Sequence, residues 1–111
     1  MIFNKTAAYV SACKKAKISA QDENRLLDEL AKNPTKGDVI PNSGGFRKVR
    51  MAINGRGKRG GARVIYMYVI TTTENDGDIV YLVMIYAKNE KTNLTADELK
   101  VLRALAKEIN Q

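Results

Sequence analysis

The 111-residue chain is 44% hydrophobic and 28% charged, which suits one domain around one core, and it has no run of 18 apolar residues that would span a bilayer. It contains no histidine, which excludes Ser-His-Asp and Cys-His catalysis and removes the commonest metal ligand. The net charge of +7 is concentrated: Arg47, Lys48, Arg50, Arg56, Lys58, Arg59 and Arg63 lie in residues 47–63 without an acid among them, and the rest of the chain balances, so the excess reads as a footprint for phosphate.

In chain order, a short strand is allowed within "MIFN", and a first helix is expected over residues 6–15. The start of the chain has no continuous apolar segment of the secretory kind. Cys13, the one cysteine, has no internal disulfide partner and is expected to be a passive thiol on that helix. A cytoplasmic location follows as the default. "ISAQDENRLLDELAKNP" predicts a second helix. Ser19 and Asp22 resemble a capping box, Leu26, Leu27 and Leu30 form a stripe that packs on a sheet, and Asn33-Pro34 ends it.

"TKGDVIPNSGG" reads as a connection. "FRKVRMAI" alternates: Val49, Met51 and Ile53 face one way, and Phe46, Lys48 and Arg50 the other. "ARVIYMYVI" predicts a more buried strand, "TTENDGD" a hairpin turn, and "IVYLVMIYA" a central strand covered on both sides. "LTADELKVLRALAKEI" predicts a C-terminal helix, with Thr95 and Glu98 as a capping box and Leu99, Leu102, Leu105 and Ile109 on one face. The expected class is α+β: a small antiparallel sheet with two N-terminal helices and one C-terminal helix, all in a single domain over residues 1–111.

"NGRGKRGGAR" contains Gly55-x-Gly57-x-x-Gly60, the spacing of a dinucleotide-binding turn. That motif needs a helix after it, to supply free N–H groups and a dipole. Here a strand follows, and the acids nearest the required offset, Glu74 and Asp76, fall in a turn. Two readings remain. One is a solvated hairpin tip. The favoured one is a phosphate-gripping loop, whose glycines let the backbone approach a ribose-phosphate chain and whose cations displace counterions.

"GDVI", "GGFRKVR", "GKRGGARVIY" and "IYAKNE", in this order and spacing, resemble the RelE/HigB-type toxins of bacterial type II toxin–antitoxin operons, within the RelE/ParE superfamily. The likeness covers residues 25–109. It implies a RelE-like fold and ribosome-dependent endoribonuclease cleavage of mRNA. In such enzymes the RNA's own 2′-OH attacks the adjacent phosphate, without a metal or other cofactor. It implies three partners: a cognate antitoxin of the helix-turn-helix, HigA-like kind, the ribosome, and mRNA. Carried over by position, the family's basic strand residues fall at Lys48 and Arg50, its arginine after the glycine loop at Arg63, and its basic residue after the last strand at Lys88, followed by Glu90. Two positions depart from the pattern. Asn89 stands where some members have arginine, and Leu94 and Thr95 stand where some have a tyrosine.

The expected roles follow from charge. Arg50 and Arg63 stabilise the phosphorane, because a guanidinium fork matches two phosphate oxygens. Lys48, crowded by cations that favour a neutral amine, is the expected general base. Lys88 protonates the leaving oxygen, and Tyr86 takes the stacking role. Arg47, Arg56, Lys58, Arg59 and Glu90 position RNA or the catalytic cations. Two alternatives stand beside the nuclease: a gyrase-poisoning ParE-like toxin, against which the basic cluster argues, and a non-catalytic RNA-binding module, for which Phe46 is the only nearby aromatic.

Overall fold

The structure is a computed structural model, which describes residues 1–53, 61–71, 77–87 and 93–110. Its elements run β1 (Ile2–Lys5), α1 (Ala7–Lys15), α2 (Ala20–Lys32), β2 (Asp38–Val39), β3 (Arg47–Met51), β4 (Ala62–Val69), β5 (Ile79–Ala87) and α3 (Ala96–Ile109). The five strands form one sheet in the order β1-β5-β4-β3-β2.

The α+β class is as expected, with two additions. The sheet is not wholly antiparallel: β1 pairs parallel with β5, Ile2 opposite Ile79. Short turns between neighbouring strands give antiparallel pairs, but β1 and β5 are separated by residues 6–78, so no turn fixes their relative direction. The segment read as a pure connection also contributes a strand. β2 is two residues long, Asp38 opposite Lys48 and Val39 opposite Arg47, too short to show an alternating pattern.

Each helix starts at a capping hydroxyl, two of which, Ser19 and Thr95, were expected. The hydroxyls of Thr6, Ser19 and Thr95 accept from the N–H groups of Tyr9, Asp22 and Glu98, satisfying donors that the first turn leaves open. At α3 the box is complete, with Glu98 accepting from the Thr95 N–H at 2.9 Å. At α2 the Asp22 carboxylate instead accepts from Arg25 at 3.2 Å.

The sheet has a core on each face. Under α1 and α2 lie Tyr9, Leu26, Leu30, Val49, Met51, Val64, Tyr66, Val80, Leu82 and Ile85. Under α3 lie Phe46, Ile65, Met67, Val83 and Tyr86 with Leu102 and Ala106. The double covering explains the nearly unbroken apolar run of β5. The Tyr9 hydroxyl, fully buried, donates to Glu23 at 2.9 Å, and Lys5 pairs with the same carboxylate at 2.9 Å. One acid thus ties α2 to both α1 and β1.

The β2–β3 turn is locked by a short polar side chain. Ser43, fully buried, donates to the Ile40 carbonyl at 2.7 Å and accepts from the Phe46 N–H at 3.0 Å. Gly44 has φ +86°, and a Cβ there would stand 2.7 Å from that of Ala106, so only glycine lets the β2–β3 turn press against α3. Arg103 reaches across to the Asn42 carbonyl at 2.8 Å. α3 is therefore clamped over the sheet at its middle and last turns, while its first turn overhangs the β2–β3 edge.

A cationic row as candidate active site

β3, β4 and β5 bring the expected residues into register. Arg50 stands opposite Arg63 in the β3–β4 ladder, and Arg63 stands opposite Tyr86 in the β4–β5 ladder. Directly opposed residues of an antiparallel pair face the same side, with Cα atoms about 4.5–5.5 Å apart. Arg50, Arg63 and Tyr86 thus form one row across three strands, on the face that α3 covers. Lys48 lies two positions along β3, about 6.6 Å away by strand rise, on the same face. Phe46 continues that face but disappears under α3, so the exposed part of β3 is basic because the helix has taken its aromatic residue.

The row is unfavourable for the fold alone. Like charges directly opposed on a ladder repel, and Arg50 and Arg63 are such a pair. Arg63 is half-buried, and its Nη1 atom is inaccessible to solvent and makes no hydrogen bond to any described residue. A buried donor without an acceptor costs about 1–3 kcal/mol. Arg50 is exposed, and its side chain runs back over Gly61. A Cβ at Gly61 would lie 3.1 Å from Arg50 Nε and 3.1 Å from the Met51 carbonyl oxygen. Gly61, read in the sequence only as part of a supple loop, therefore shapes the site by leaving room for the Arg50 stem.

Tyr86 joins the row but is only 6% exposed, packed with Leu102 and Ala106 in the core under α3. It presents little ring surface to a base and backs Arg63 instead. Arg47 leaves the cluster altogether. It points to the α1–α2 face and donates to the carbonyls of Thr35 and Gly37, at 3.4 and 2.8 Å. Its cross-strand neighbour Tyr66 helps: the Tyr66 hydroxyl accepts from the Gly37 N–H at 2.9 Å and donates to the Pro34 carbonyl at 2.8 Å. Burial, as the main cause, raises the proton affinity of that hydroxyl. Arg47 and Tyr66 together pin the segment that leads into β2. Arg56, Lys58, Arg59, Lys88 and Glu90, with Asn89, lie outside the described residues.

Two hollows flank Lys48. One, of about 390 Å³, lies between β2 and the start of α3, lined by Asp38, Val39, Ile40, Pro41, Asn42, Lys48, Asn93, Leu94 and Leu99. The other, of about 470 Å³, lies along β3 beyond the end of β2 and includes Lys36, Asp38, Lys48 and Arg50. Asp38 is common to both and stands directly across the ladder from Lys48. Reasoning from the sequence passed over it, although it lies in the "GDVI" motif. Among the described residues no cluster of His, Cys, Asp and Glu side chains is arranged to hold a metal, and no helix is long and apolar enough to cross a membrane.

The domain is thus a three-helix, five-stranded α+β fold that places two arginines opposite each other on adjacent strands. The family model described as the RelE toxin of the RelE/RelB toxin–antitoxin system matches residues 1–111. The chain belongs to the RelE family, and it is a toxin of a toxin–antitoxin system, whose partner in that system is an antitoxin.

Proposed function

We propose that this toxin is a ribosome-dependent endoribonuclease that cuts mRNA by attack of a 2′-OH on the neighbouring phosphate. The observation that carries the reading is the Arg50–Arg63 pair. Two guanidiniums are opposed on one ladder, one with a buried donor directed at no described acceptor. Such an arrangement is costly when empty and favourable around a phosphorane, where negative charge grows during the reaction. Lys48, on the same face, takes the 2′-OH proton as the 2′-oxygen bonds to phosphorus. The bond from phosphorus to the 5′-oxygen breaks, and Lys88 supplies the proton to that leaving oxygen. The products are a 2′,3′-cyclic phosphate and a 5′-OH end. Tyr86 holds Arg63 from behind.

A handful of phosphate contacts binds RNA weakly at physiological salt. The ribosome supplies ordered mRNA and further phosphates for the remaining cations. A cognate helix-turn-helix antitoxin of the HigA-like kind covers the row or blocks entry to the ribosome.

The test is to map mRNA 5′ ends after inducing the toxin without its antitoxin, in the wild type and in Arg63→Ala and Lys48→Ala. Loss of about 10²-fold or more in cleavage is expected, the usual effect of removing one stabilising group at developing charge. Unchanged cut sites and rates in both variants, or DNA breaks in place of RNA ends, would overturn the reading.

A further inference from the structure

We infer that the hollow between β2 and the first turn of α3 seats a nucleobase next to the scissile phosphate, and that Asp38 reads its edge. The inference rests on the proposed nuclease reading and specifies which part of the RNA enters where.

The hollow has the chemistry of a base on each of its sides. Val39, Ile40 and Pro41, from β2 and the turn after it, and Leu94 and Leu99, from the approach to α3 and its first turn, line it, an apolar surface that suits the faces of a flat ring. Val39 is 55% exposed, so its side chain is open to a ligand in the hollow. The polar groups lie around the edge: Asp38, Asn42 and Asn93. Among the described residues the one cation in the lining is Lys48, which also belongs to the proposed reacting row. A base is joined to its phosphate through a single sugar, so a base in the hollow leaves its phosphate beside Lys48.

The hollow is also a fixed feature. Asn42 has φ +62°, its carbonyl is held by Arg103 at 2.8 Å, and the adjoining Ser43 is locked to both strands of the turn. The capping box of Thr95 and Glu98 fixes the opposite wall. A pocket held in shape before binding discriminates better than one that must order itself.

Asp38 sets the preference. A carboxylate only accepts, and its two oxygens match two adjacent N–H donors. Guanine presents such a pair on its Watson–Crick edge, at N1 and at the exocyclic amine. Asparagine at this position has one acceptor and one donor and would suit adenine instead. An acidic peptide is the competing occupant, because Lys48 attracts any anion, but Asp38 at the edge repels one.

Two measurements test the inference, and they separate it from the nuclease reading. The first is the base composition beside mapped cut sites. Wild-type protein is expected to favour guanine there, and Asp38→Asn to shift the ratio of adenine to guanine by about tenfold, the usual scale for one good edge contact. Cutting with the same base composition in both proteins would overturn the inference and leave the nuclease reading intact. The second is backbone amide shifts in the intact toxin titrated at low salt with 2′-O-methyl trinucleotides, which bind without being cut. Shifts at Val39, Ile40, Leu94 and Leu99 that are larger for a guanine-containing trinucleotide support the inference even if the wild type proves not to cleave. Shifts that spare these residues, or that a poly-glutamate peptide reproduces, overturn it.

Discussion

Replacing Arg63 by methionine should make this protein more stable and less toxic at once. Methionine keeps an unbranched apolar stem beside Tyr86 and removes the guanidinium. The wild-type Nη1 is buried without a partner among the described residues, a defect worth about 1–3 kcal/mol. The repulsion between Arg63 and Arg50, directly opposed on the ladder, adds a few tenths of a kcal/mol. Some of this is offset by the slightly looser fit of a shorter side chain, so a net gain of about 1–2 kcal/mol is expected. For a domain of this size that is a rise of about 4–8 °C in Tm, well within reach of a thermal scan by circular dichroism. Millimolar phosphate should raise Tm in the wild type and do so less in Arg63→Met, because an anion that binds only the folded protein stabilises it. If Arg63→Met melts below the wild type, the guanidinium is held by contacts that support the fold, and the argument that it waits for an anion fails.

Other expectations follow from single contacts. The unfolded chain releases a tyrosine proton near pH 10, whereas burial, chiefly, keeps the Tyr9 proton bound far above that. Folded Tyr9 therefore holds its proton more tightly, its contribution is intact below pH 10, and above it stability falls by up to about 1.4 kcal/mol per pH unit. Urea melts across pH 8 to 11 should show a smaller decline in Tyr9→Phe than in the wild type. Tyr66→Phe leaves the Gly37 N–H and the Pro34 carbonyl without their partner and should cost about 1–3 kcal/mol in urea denaturation. Thr95→Ala removes the capping hydroxyl of α3 and should cost about 1 kcal/mol, with faster amide exchange confined to the first turn of that helix.

The sequence carried most of the fold because its signals are local. Ser19 and Thr95 are caps legible in the chain, and the alternation around Val49 and Met51 separates the two faces of β3. β1 and β2 were harder for one reason: each draws its stability from a partner distant in the chain or from only two pairs, not from its own pattern. The arrangement of the candidate residues was legible in part. The charge pattern marked the basic segment 47–63, the family resemblance singled out Lys48, Arg50 and Arg63 within it, and alternation put Lys48 and Arg50 on one face. The ladder register that opposes Arg50 to Arg63 is a long-range fact that spacing cannot supply. Arg47 shows the limit of charge counting. It belongs to the same basic run, but an odd position in the strand turns it to the other face, where it serves backbone carbonyls. Asp38 was passed over for the opposite reason, as an acid in a basic region whose place beside Lys48 appears only once β2 pairs.

The parallel pairing of β1 with β5 has a consequence for biosynthesis. The first strand made by the ribosome finds its neighbour only after residues 79–87 have been translated and have left the exit tunnel. Until then the nascent polypeptide contains both arginines but lacks β5, the strand that flanks Arg63. The sheet that carries the Arg50–Arg63 pair is therefore completed late in synthesis, with only α3 still to follow.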